Sequence, residues 1–79
     1  MSTIEKNRIQ LCFAKELLAY RQAHRLSQSK LARKLSITDR QYSALEHGEY
    51  CPSVVTLLAF MQEMTEEERG SLLCSLLNS

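Results

Sequence analysis

Seventy-nine residues with 44% hydrophobic and 24% charged side chains are enough for one small core, so the expectation is a single domain over residues 1–79 with no separate sensor or catalytic unit. Two glycines, one proline and a chain otherwise rich in Leu, Ala, Lys, Arg, Glu and Gln exclude a sheet-rich or collagen-like fold and argue for an all-α one. The net charge of +1 hides an asymmetry: residues 1–46 hold nine basic against four acidic side chains, a net +5, while residues 47–79 hold Arg69 against five glutamates, a net −4. One end of such a chain suits a polyanion, and the other suits solvent or a partner.

In chain order, Met1-Ser2-Thr3-Ile4-Glu5-Lys6 lacks the apolar run of a signal peptide, and no stretch reaches the ~18 apolar residues of a membrane span. The expectation is a cytoplasmic protein with no membrane contact. Ile9, Phe13, Leu17 and Tyr20 recur at three- and four-residue intervals, with Ala14 and Leu18 widening the stripe, which predicts a first amphipathic helix over residues 9–24. Ser27 is a good N-cap for a short second helix, residues 28–35, with Leu31, Ala32 and Leu35 on one apolar face. Thr38 can cap a third helix that runs to about His47, with Tyr42 and Leu45 turned inward and Gly48 as its C′ stop.

Pro52-Ser53 opens a fourth helix, in which Val54, Leu57, Leu58, Met61 and Met64 fall at helical spacing. Thr65-Glu66-Glu67-Glu68 is a capping-box pattern, and its carboxylates lie where the helix dipole favours negative charge. It predicts a fifth helix, residues 65–77. Gly70 weakens that helix by about 1 kcal/mol relative to Ala, but Leu72, Leu73, Leu76 and Leu77 follow on one side.

Chemistry is sparse. Cys12, Cys51 and Cys74 are odd in number, widely spaced and match no CxxC pattern, so they read as small residues of a reduced protein rather than as disulfide or zinc ligands. His24 and His47 have no paired ligand at metal spacing. No Ser/His/Asp set, Gly-rich phosphate loop or paired carboxylates in a plausible cleft stand out, so the expectation is no enzyme, no cofactor, no metal and no small-molecule substrate.

Residues 28–48 carry the clearest pattern. Counted from Gln28 as position one, the small residue Ala32 falls at five, and Leu31, Leu35, Ile37, Tyr42 and Leu45 fall at four, eight, ten, fifteen and eighteen. Two helices that cross steeply leave space for only a methyl at the crossing point and need apolar contact around it. With the Leu26-Ser27-Gln28 lead-in, Leu45-Glu46 ahead of Gly48, and Pro52-Ser53 opening the next helix, the chain resembles the helix-turn-helix DNA-binding domain of the phage repressor and Cro-like family, often called the XRE family. The resemblance covers roughly residues 13–64. It implies an all-α, five-helix repressor-like domain whose second and third helices form the motif, core 28–47. There are two departures. Ser36 stands at a turn position that is often Gly in the family, and Glu49 follows Gly48 where the family often has Lys or Arg.

The resemblance also implies a function: a sequence-specific, double-stranded DNA-binding transcriptional regulator with recognition helix 38–47 in the major groove. Carried over residue by residue, the DNA-binding set is Gln28, Thr38, Asp39, Arg40, Gln41, Ser43 and Ala44. Arg40 is able to grip guanine O6 and N7. Asp39 has two readings, an acceptor for cytosine N4 or an acid that balances the helix dipole. Ala44 offers only apolar contact, for example to a thymine methyl, and Gln28 matches the family's phosphate-anchoring glutamine. Lys30, Arg33 and Lys34 add either a general positive field or plain solvated surface. Arg21 and Glu46 match an arginine and a glutamate that the family commonly pairs as an internal brace. The partners implied are a DNA operator and a second copy of the chain, with the C-terminal helix, 65–77, as dimerisation element: part of its leucine patch is expected to cover the domain's own core and the remainder to form the interface, the alternative being that all four leucines close the monomer's core. The competing reading is a helix-turn-helix-fold protein-interaction module, antitoxin-like or antirepressor, with weak or no DNA binding, which Glu49 favours.

Overall fold

The computed structural model describes residues 3–78, with side chains from Lys6 onward. Five helices and no strand occur among them: α1 (Thr3–Ala23), α2 (Gln28–Lys34), α3 (Asp39–Glu46), α4 (Val54–Glu63) and α5 (Glu66–Asn78). Helix α1 starts earlier than its apolar stripe, because nothing in residues 3–8 breaks a helix even though residues 6–8 are exposed. The other boundaries fall within two residues of the expected ones, and the caps explain why. Ser27 accepts from Lys30 N, Ser53 accepts from Thr56 N, and Thr38 with Gln41 forms a reciprocal capping box. Thr65 and Glu68 do the same ahead of α5, at 2.9 and 3.1 Å.

Three helices end through a residue in the left-handed region. Gly48 has φ 71°, but Arg25 and Ser36 are also positive, at 53° and 60°. Each closes its helix with Schellman-type bonds, such as Ile37 N to Ala32 O at 3.0 Å and Leu26 N to Arg21 O at 2.9 Å. The motif turn therefore keeps its geometry with a serine in place of glycine, at the cost of backbone strain.

Helix α1 runs through the middle, packed against α3 on one side and α5 on the other, while α2 packs on α3. Phe13, Leu17, Leu31, Ala32, Tyr42 and Leu45 are fully buried around these crossings, and Leu35 and Tyr20 nearly so. Phe60 of α4 closes the core with its ring edge-on to Phe13, at 5.6 Å between centroids, and to Tyr20, at 5.3 Å.

One expected face is corrected, and a second divides. On α4 the inward side is Thr56, Phe60 and Met64, whereas Val54 and Leu58, read as part of the apolar stripe, are 71% and 54% exposed. The reason is that α4 has apolar residues almost all round, so spacing could not identify the face. On α5 the leucines divide: Leu72 is buried and Leu76 packs on the core, while Leu73 and Leu77 are exposed. Leu18 is also exposed on α1, outside the stripe it was assigned to.

Candidate nucleic-acid interface

Helices α2 and α3 are held at their crossing by Leu31, Ala32, Leu35 and Tyr42, all buried, and this fixes where the first turn of α3 lies. Thr38, Asp39, Arg40 and Gln41 are all exposed on that turn, and Ser43 and Ala44 are half-buried one turn on. Several of these groups already have local work. Thr38 Oγ1 accepts from Gln41 N at 3.0 Å, and Gln41 Oε1 accepts from Thr38 N at 2.9 Å. Asp39 Oδ2 accepts from Ser29 Oγ at 2.7 Å. Arg40 has no hydrogen bond or ion pair to another described residue, so all its donors are available to a ligand.

The far end of α3 is locked from below. Arg21 grips Glu46 through two bonds of 2.9 Å, Nε to Oε2 and Nη2 to Oε1. Tyr42 Oη donates to the same carboxylate, and Gln28 Nε2 adds a bond at 3.0 Å. The side chain of Glu46 is only 8% exposed, so this charge survives because four donors replace its water. Burial pushes its carboxyl up, but the bonds from Arg21, Tyr42 and Gln28 outweigh that and hold it below the ordinary carboxylate value. Burial, then the Glu46 carboxylate, pushes the Tyr42 phenol well above its usual range. The paired arginine and glutamate are thus an internal brace, and Gln28 is tied into it, so its amide sits at the base of α2 in a set position.

Around this centre the charges are partly cross-paired between the basic and acidic parts of the chain. Lys34 lies 3.4 Å from Glu63, and His24 bonds Glu68 at 2.7 Å while stacking on Tyr20. Lys30 and Arg33 remain exposed on α2, whereas Lys34 has a carboxylate beside it. In the loop after α3, Glu49 N donates to Ala44 O at 3.0 Å and Tyr50 Oη donates to Gln41 O at 3.1 Å, so the loop is fastened to α3 with the Glu49 side chain exposed.

A family model described as "Helix-turn-helix" matches residues 17–64, from the middle of α1 to the end of α4. The chain belongs to the XRE-type helix-turn-helix family. No significant match occurs among curated proteins or among solved structures. Membership makes the chain a DNA-binding helix-turn-helix regulator in general terms, in a family whose domain is not an enzyme. Among the described residues no helix is long and apolar enough to cross a membrane, and no three His, Cys, Asp or Glu side chains cluster as metal ligands. Sequence reasoning missed Ser29. The signal was available in the motif itself, because the steep α2–α3 crossing brings positions two and twelve, Ser29 and Asp39, together.

Proposed function

We propose that this helix-turn-helix protein is a cytoplasmic, sequence-specific regulator of transcription that inserts α3 into the major groove of duplex DNA and works as a homodimer. The observation that carries this reading is the exposed polar first turn of α3, with Arg40 unpaired, at the free end of a helix whose other end is braced by Arg21 and Glu46. An eight-residue helix is about 12 Å long, comparable with the ~12 Å width of the major groove. In this arrangement Arg40 donates to guanine O6 and N7, and the Thr38 hydroxyl and Gln41 Nε2 donate to base edges or to phosphate. Ser43 and Ala44 meet the next base step. Gln28 keeps one amide proton on Glu46 and offers the other to a phosphate.

Homodimerisation follows from reach. One small head covers only a few base pairs, and two-fold dimers of such heads sit on half-sites about 34 to 36 Å apart. The outward side of α5, with Leu73, Leu77 and the open flank of Gly70, is the surface proposed for that contact.

A second reading is favoured by Val54, Val55 and Leu58, exposed together on α4, and by the exposed acid Glu49: a protein-interaction module that binds DNA weakly. Selection from a random duplex pool separates the two. The regulator enriches one half-site, and its affinity falls linearly in log-log form with salt, with a slope near −0.9 for each phosphate contact. Absence of enrichment, with no salt-dependent retention on heparin, would leave the interaction module as the reading.

A further inference from the structure

One side-chain bond joins the first turns of α2 and α3 and has no part in the roles above: Ser29 Oγ donates to Asp39 Oδ2 at 2.7 Å. Ser29 is half-buried and Asp39 is exposed. We propose that Ser29 is a positioning residue that sets the Asp39 carboxylate so that its second oxygen, Oδ1, selects cytosine at one base pair of each half-site. The inference rests on the reading of α3 as the major-groove helix.

The argument is one of donors and acceptors. On the first turn of α3 the cap consumes Thr38 Oγ1 and Gln41 Oε1 as acceptors, which leaves the Thr38 hydroxyl proton and Gln41 Nε2 unused, and Arg40 carries donors only. Asp39 is the one carboxylate on that turn. Ionised, it accepts and cannot donate, so guanine O6 and N7 and thymine O4 repel it. Adenine offers N6 but holds it between two acceptors, its own N7 and the O4 of the paired thymine. Cytosine N4 has an acceptor on one side only, the O6 of the paired guanine, and C5–H on the other, so a carboxylate can approach it from the C5 side. An unheld aspartate at a helix start would rotate away from the phosphates into water and select nothing. The Ser29 bond removes that freedom and occupies one lone pair of Oδ2, so Oδ1, which has no partner among the described residues, is the oxygen best placed for a base.

The test compares wild type, Ser29→Ala, Ser29→Thr, Asp39→Ala and the Ser29→Ala/Asp39→Ala double variant in duplex-pool selection, with thermal melts alongside. Wild type is expected to favour cytosine at one position by about 5- to 150-fold, the range of a single good base contact. Asp39→Ala and Ser29→Ala should each bring that preference to within about threefold and leave the other positions unchanged, and Ser29→Ala should leave the melting temperature unchanged. The double variant should lose no more than either single one, and Ser29→Thr, which keeps the hydroxyl, should retain the preference. The proposal is overturned if Ser29→Ala keeps full cytosine preference, if the base whose selection depends on Asp39 is not cytosine, or if Ser29→Ala lowers every position and the melting temperature together. If wild type selects no duplex, the DNA-binding reading falls and this inference with it; if it selects a motif indifferent to Ser29, only this inference falls.

Discussion

Arg40 and Glu46 are both charged residues of α3, and their surroundings give them opposite work. Arg40 is exposed and unpaired, so Arg40→Ala should leave stability unchanged, lose about 1 to 3 kcal/mol at one base pair and relax selection there, whereas Gln28→Ala should weaken all sequences alike and flatten the salt slope by about one contact. Duplex selection at two salt concentrations checks both. Glu46 is nearly buried beneath four donors, and Glu46→Leu strands Arg21, the Tyr42 hydroxyl and the Gln28 amide, a loss of about 3 to 5 kcal/mol in denaturant unfolding. Arg21→Met should cost less, since Tyr42 and Gln28 still reach the carboxylate, and the pair should be non-additive in a double-mutant cycle. The pH dependence has a definite sign. The folded-state value of Glu46 lies below its ordinary 4.5, so the stability it contributes is present above that value and is lost as pH falls through the folded one. Glu68, held low by His24 and then by Thr65, acts in the same direction. Melts from pH 7 downward should show wild type losing stability below about pH 5, with Glu46→Gln starting lower and losing less.

Within single elements, the ends were more legible than the faces. Ser27, Thr38, Ser53 and Thr65 are side chains that satisfy orphan backbone N–H groups within three residues, so local chemistry alone located four helix starts. The turn between α2 and α3 is a measurable exception to local preference: Ser36 sits at φ 60° because the crossing demands it. Ser36→Gly should relieve that strain and, after the added freedom of the unfolded chain, raise stability by about 0.5 to 1 kcal/mol in thermal or urea unfolding. Helix α4 shows the limit of periodicity. Phe60→Ala should cost about 3 to 5 kcal/mol, while Leu58→Ala, on the exposed side of the same helix, should change unfolding by less than about 0.5 kcal/mol. Equal losses at the two sites would mean that the outward face of α4 is covered in solution.

For the whole molecule the exposed apolar residues of α5 are the surface on which the proposed dimer is tested. Leu72 and Leu76 close the core, so charges placed at Leu73 and Leu77 should leave the monomer folded. Sedimentation equilibrium is expected to show a wild-type dimer that Leu73→Glu with Leu77→Glu converts to monomer, with circular dichroism unchanged. A wild type that stays monomeric at tens of micromolar, both free and on a palindromic duplex, removes the dimer from the account. The asymmetry of charge acts at the same scale. Pairs such as Lys34 with Glu63 and His24 with Glu68 draw the acidic C-terminal part toward the ends of α1 and α2, which leaves Lys30, Arg33 and Arg40 as exposed cations around the motif.

Much of this was legible in the chain itself. Helix number, four N-caps, the Ala32 crossing and the family follow from interactions that span few residues or recur at set offsets, and such interactions leave their mark on residue order; the Arg21–Glu46 pair was legible only through the family resemblance. The tertiary structure decided the rest. Which side of α4 is buried, which two of four leucines on α5 reach the core, and that Ser29 meets Asp39 depend on how helices lie against one another. Burial is a property of what arrives on a face from elsewhere in the chain, and an apolar residue has the same sequence signature whether a neighbour arrives or water stays.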